Sequence, residues 1–101
     1  MKVAAPQTML FLDLETTGLF PQDPGAAILE IGMLAVEVPT FREVAAWSTP
    51  VARPYKEGDP LTGCDDYVRT MHTDSGLAAE LPGGMPRKEA ELAAVEFYNA
   101  H

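Results

Sequence analysis

Apolar positions in the first half of the chain gather into short runs with no helical period. Met9-Leu-Phe-Leu-Asp-Leu14 has no polar residue before Asp13, the pattern of a strand buried on both faces inside a mixed or parallel sheet. Thr16, Thr17 and Gly18 break this run, and Pro21, Pro24 and Gly25 make the next stretch a loop. Ile28 to Val38 is a second apolar, β-branched-rich segment, interrupted by Glu30 and Gly32. Arg42 to Val51 reads as a third strand, with Trp47 as a core residue and Pro50 ending it. Connections this short predict an antiparallel meander.

The second half changes character. Residues 55–60 are polar and bounded by proline, hence loop. Asp65 to Met71 predicts a short helix capped by Asp65 or Asp66. Leu77 to Leu81 predicts a further turn or two, stopped by Pro82-Gly83-Gly84. Pro86 suits a first helical position, and Arg87 to Asn99 follow as the clearest helix. Along it Leu92, Val95 and Tyr98 step by three, while Glu89 and Glu96 share another face.

Composition narrows the class. With 101 residues, 47% of them hydrophobic, the chain reads as one globular unit over residues 1–101. Its net charge of −8 argues against gripping a long duplex by its phosphates. No apolar run approaches the roughly 20 residues of a membrane helix, and the opening residues are too short and weakly apolar for a signal peptide. Cys64 stands alone, which excludes an internal disulfide and leaves it packed or exposed near a loop. A cytoplasmic setting is the expectation.

The chemistry centres on Asp13 and Glu15. Side chains two apart on a strand share a face, and two carboxylates there repel unless a cation lies between them. Mg²⁺ or Mn²⁺ suits such a pair, because hard cations take oxygen ligands and substrate phosphate together. An isolated Asp-x-Glu pair equally marks the wet end of a strand.

The longer string Phe11-Leu-Asp-Leu-Glu-Thr-Thr-Gly-Leu19 resembles the first exonuclease motif of the DEDD superfamily of 3′→5′ exonucleases. Ile28-Leu-Glu-Ile-Gly32 is similar to that family's second strand. Tyr67-Val-Arg-Thr-Met-His72-Thr-Asp-Ser75-Gly-Leu77 resembles the oligoribonuclease pattern of an aromatic, a His five residues on, then Ser-Gly-Leu. Glu89-Ala-Glu-Leu-Ala93 and Glu96-Phe97 resemble the helix that follows.

This resemblance implies an incomplete ribonuclease-H-like α/β fold, a three-stranded antiparallel meander followed by helices. It implies two-metal hydrolysis of short RNA or single-stranded DNA, with Mg²⁺ or Mn²⁺ held by Asp13 and Glu15. Thr16 and Thr17 would hold the 3′-terminal sugar, Leu19 would wedge against the terminal bases, Tyr67 would stack on a base, and His72 would help cap a 5′ phosphate. Only two of the family's four acidic ligands are present; the second and third motifs, with the general base, are not among these 101 residues. Thr at position 16 leans toward proofreading exonucleases, since oligoribonucleases commonly carry Met there.

In the family sheet, of order 3-2-1-4-5, strand one lies in the middle. Without strands four and five, Met9 to Leu14 becomes an apolar edge that invites association. The expectation is therefore little turnover by these residues alone, in a truncated chain, half of a split protein or a remnant. Expected partners are a short single-stranded nucleic acid, a second copy or a complementing C-terminal chain. The alternative is a non-catalytic module docking through its sheet edge.

Overall fold

The three apolar runs form one sheet. In the computed structural model, which describes residues 7–18 and 25–101, β1 (Gln7–Thr16), β2 (Ile28–Val38) and β3 (Arg42–Ala52) make an up-and-down antiparallel meander. The β2–β3 turn is closed by the Phe41 amide on the Glu37 carbonyl at 2.7 Å and by an Arg42–Glu37 ion pair at 3.0 Å. A two-residue β4 (Met85–Pro86) runs parallel to β3, giving the order β1-β2-β3-β4. Helices α1 (Asp66–Asp74), α2 (Leu77–Glu80) and α3 (Arg87–Ala100) complete an α/β fold of the expected class. Among the described residues no helix is long and apolar enough to cross a membrane.

Pro50 does not end β3. It pairs with Glu30 and the strand continues to Ala52, because a proline inside a strand loses only one ladder donor. Pro86 caps α3 rather than entering it, since its backbone is still extended alongside Ala52. Gly84 makes that crossing possible: a Cβ there would lie 2.8 Å from the Ala52 amide nitrogen and 2.9 Å from the Val51 carbonyl carbon.

Two small cores hold the layers together. In one, Leu29, Leu61, Cys64, Leu77 and Leu81 are buried between β2 and the α1–α2 region. Asp65 caps α1 by accepting from the Val68 amide at 2.8 Å, and Arg69 clasps Asp59 through two bonds of 2.9 and 2.8 Å. In the other core, Ala90 and Ala94 of α3 lie against Ile31, Val51, Met33 and Trp47.

The stripe of Leu92, Val95 and Tyr98 faces outward instead, each residue more than half exposed. Alanines let α3 approach the sheet closely, so the larger side chains are left on its far side. The reading of β1 as buried on both faces is also overturned. Met9, Phe11, Leu12 and Leu14 are exposed because, among the described residues, β1 is the sheet's outer strand and pairs with β2 alone.

Candidate functional site

The end of β1 is where chain geometry becomes irregular. Register shifts between Glu15 and Thr16: Glu15 pairs with Glu30 while Thr16 pairs with Ile28, leaving Leu29 as an extra residue on β2. Such a bulge re-aims side chains locally. Here it puts Leu29 into the α1–α2 core and leaves Glu30 beside Glu15, where both border a cavity of about 160 Å³ with His72, Ser75 and Glu80.

Asp13 and Glu15 alternate onto the same side of β1, as period-two geometry requires. Both contribute to a carboxylate-rich field felt by Glu30. Burial raises the Glu30 carboxyl above its ordinary range, and the charges of Glu80, Glu15 and Asp13 push it further up, while His72 opposes them. Among the described residues Glu30 has no side-chain hydrogen bond. Opposite Asp13 stands Gly32, so no cross-strand side chain crowds that carboxylate, and even a Cβ there would meet only the Asp13 carbonyl at 3.8 Å. Neither Asp13 nor Glu15 takes part in any of the ion pairs among the described residues, which join Arg42–Glu37, Arg69–Asp59 and Arg87–Glu91.

These donors fit a hard divalent cation in kind: two carboxylates sharing a face, one of them exposed, with no basic side chain between them. They form an open pair. No group of three or more His, Cys, Asp or Glu residues converges on a metal position among the described residues.

Beside Glu15 a groove of about 660 Å³ opens between the end of β1 and the start of α1. Leu14, Thr16, Thr17, Gly18 and Tyr67 share its lining, so the structure brings together four of the expected site residues, Glu15, Thr16, Thr17 and Tyr67. Tyr67 is 78% exposed, far from an ordinary packing role. The threonine hydroxyls are already engaged, Thr16 Oγ1 donating to the Gly18 carbonyl at 2.7 Å and Thr17 Oγ1 accepting from the Ala27 amide at 2.9 Å. Leu19 lies outside the described residues.

His72, the residue expected to help cap a 5′ phosphate, is turned into the protein. The ring is 1% exposed, and its Nε2 lies 3.0 Å from the Thr16 carbonyl oxygen. The helix that carries the expected aromatic turns this histidine inward, onto the strand end. Spacing along the sequence could not reveal that direction.

No family model matches the chain. It is 34% identical over 91 residues to the oligoribonuclease of Leifsonia xyli subsp. xyli (strain CTCB07), covering 88% of this chain and 41% of that protein. Identity is 29% over 99 residues to the oligoribonuclease of Tropheryma whipplei (strain Twist), covering 95% of this chain and 50% of that one. With the Streptomyces coelicolor oligoribonuclease it is 32% over 93 residues, covering 92% and 44%. The chain is thus oligoribonuclease-like along most of its length and spans about half the length of the curated relatives it matches.

Proposed function

We propose that residues 1–101 form part of a single 3′→5′ exonuclease domain acting on short RNA or single-stranded DNA. The observation that carries this reading is the Asp13–Glu15 face, without an ion pair among the described residues, next to the groove walled by Tyr67. Asp13 and Glu15 would hold Mg²⁺ or Mn²⁺. A divalent pair, when bound, supplies activation of water and neutralisation of charge on the phosphodiester. The remaining work belongs to this chain's own residues. Tyr67 offers a base an exposed stacking surface, and the Thr16–Gly18 backbone borders the sugar position. Stacking tolerates any base, which suits an acidic chain (net charge −8) that has few cations for a long phosphate track.

The 101 residues supply two of four expected carboxylates and no assigned general base, whose contribution is worth about 10²–10⁴ in rate. We infer little turnover from them alone. The test is to incubate the chain, alone and completed with the C-terminal half of an oligoribonuclease, with labelled di- to pentanucleotides and Mg²⁺. The completed form should release mononucleotides in a metal-dependent way, and Asp13→Ala should abolish it. No metal-dependent product, or an Asp13→Ala rate equal to the parent's, overturns the reading.

One observation favours a second, non-catalytic reading. Among the described residues the outer edge of β1 is open, which fits a polypeptide partner added as a further strand, from a second copy or a complementing chain. A monodisperse monomer by size-exclusion chromatography with light scattering would count against it.

A further inference from the structure

The buried histidine of α1 has no part in the chemistry above, yet it touches the residue next to a carboxylate. We propose that His72 is a positioning residue: it holds the end of β1 so that Glu15 is presented in a cation-binding pose. The inference rests on the metal reading of Asp13 and Glu15.

Its basis is a contact spanning 56 residues of chain. Nε2 of His72 donates to the Thr16 carbonyl at 3.0 Å, a polarity dictated by the partner, since a carbonyl only accepts. The ring is 1% exposed, so losing this bond would leave a buried polar group unpaired.

The contact falls at the irregular step of β1. Among the described residues β2 is its one neighbouring strand, and the ladder slips between Glu15 and Thr16. Beyond that point the described anchors are the Thr17 amide on the Ala27 carbonyl at 2.9 Å and the Ala27 amide on Thr17 Oγ1. His72 therefore adds a tie from a different element, α1, at the step where strand pairing alone would allow Glu15 to swing. Its own helix end is fastened in turn, because Ser75 Oγ donates to the His72 carbonyl at 3.2 Å and accepts from the Leu77 amide at 3.4 Å. The imidazole also borders the cavity shared by Glu15 and Glu30, placing it against the strand face that would carry the ion.

The test is Mn²⁺ affinity of the 101-residue chain, read from the free-ion paramagnetic resonance signal at a temperature where circular dichroism shows every variant folded. His72→Phe fills the ring volume but cannot donate, and should weaken binding about three- to tenfold, the size of one net hydrogen bond. His72→Gln carries an amide N–H able to reach the same carbonyl, and should stay within about twofold of the parent. Leu81→Ala, which loosens the core formed by Leu29, Leu61, Cys64 and Leu77 without touching Thr16, should leave affinity unchanged.

Parental affinity in His72→Phe, or equal weakening in His72→Phe and Leu81→Ala, overturns the inference. Asp13→Ala and Glu15→Ala separate the two levels. If neither weakens Mn²⁺ binding, the metal reading fails and this inference with it. If both do while His72→Phe does not, only the positioning role falls. Amide exchange at Thr17 gives a metal-independent reading: faster in His72→Phe than in Leu81→Ala if the tie is real, and equal in both if it is not.

Discussion

Glu15 on β1 stands directly opposite Glu30 on β2, so two carboxylates face each other across the ladder near the end of β1. Cross-strand pairs of like charge are destabilising, and here Asp13 and Glu80 add to the same negative field. The fold tolerates this cost at one place, beside the groove.

Replacing Glu30 by Gln should therefore stabilise the chain. The Glu30 carboxyl is raised in the folded state, first by burial and then by Glu80, Glu15 and Asp13. A raised carboxyl binds its proton more tightly when folded, so the penalty is absent below the unfolded value and grows as pH rises through the raised folded one. Glu30→Gln should lift Tm at pH 7 by roughly 2–8 °C, from about 0.5–1 kcal/mol of relieved repulsion. The gain should vanish at acid pH and shrink on adding Mg²⁺. Thermal melts at pH 3 and 7, with and without the ion, check both signs.

Tyr67→Ala should leave Tm unchanged, because the ring is mostly in solvent. If the ring stacks on a base, the affinity of the completed domain for a labelled trinucleotide should fall about 5- to 100-fold, as for loss of one stacking platform. Equal anisotropy titrations for parent and variant would remove Tyr67 from the site.

Leu12→Lys addresses the sheet edge. Leu12 is 62% exposed on a strand with one neighbour among the described residues, so the substitution should cost little stability. A lysine on an edge strand discourages strand-to-strand association. The parent should show concentration-dependent mass by light scattering, and the variant should move to the monomer mass.

Gly84→Ala probes the crossing from α2 to α3. Its Cβ would meet backbone at 2.8, 2.9 and 3.1 Å, from Ala52, Val51 and Leu81, none of which is a flexible side-chain end. Overpacking of this kind costs typically about 1–3 kcal/mol. Denaturant unfolding should show a lower midpoint, whereas Gly83→Ala, with open space around it, should change little.

The local elements were legible in the letters. Uninterrupted apolar runs announced β1, β2 and β3, and the Asp65-Asp66 pair announced the start of α1, which Asp65 caps. Asp13 and Glu15 share a face because strand periodicity demands it, whatever surrounds them. Chain-local rules of this kind need no knowledge of what packs on what.

What packs on what was decided only in three dimensions. Leu92, Val95 and Tyr98 make an apolar stripe by spacing, yet the small Ala90 and Ala94 won the sheet, because close approach of backbones depends on what lies across the interface. His72 has the same letter whether it points at solvent or at the Thr16 carbonyl. Its direction follows from how α1 packs, with Val68 against the cluster that holds Leu29, a residue left over by the slip in register. The pair of carboxylates belongs to the sequence, and the histidine that steadies the strand beneath them belongs to the fold.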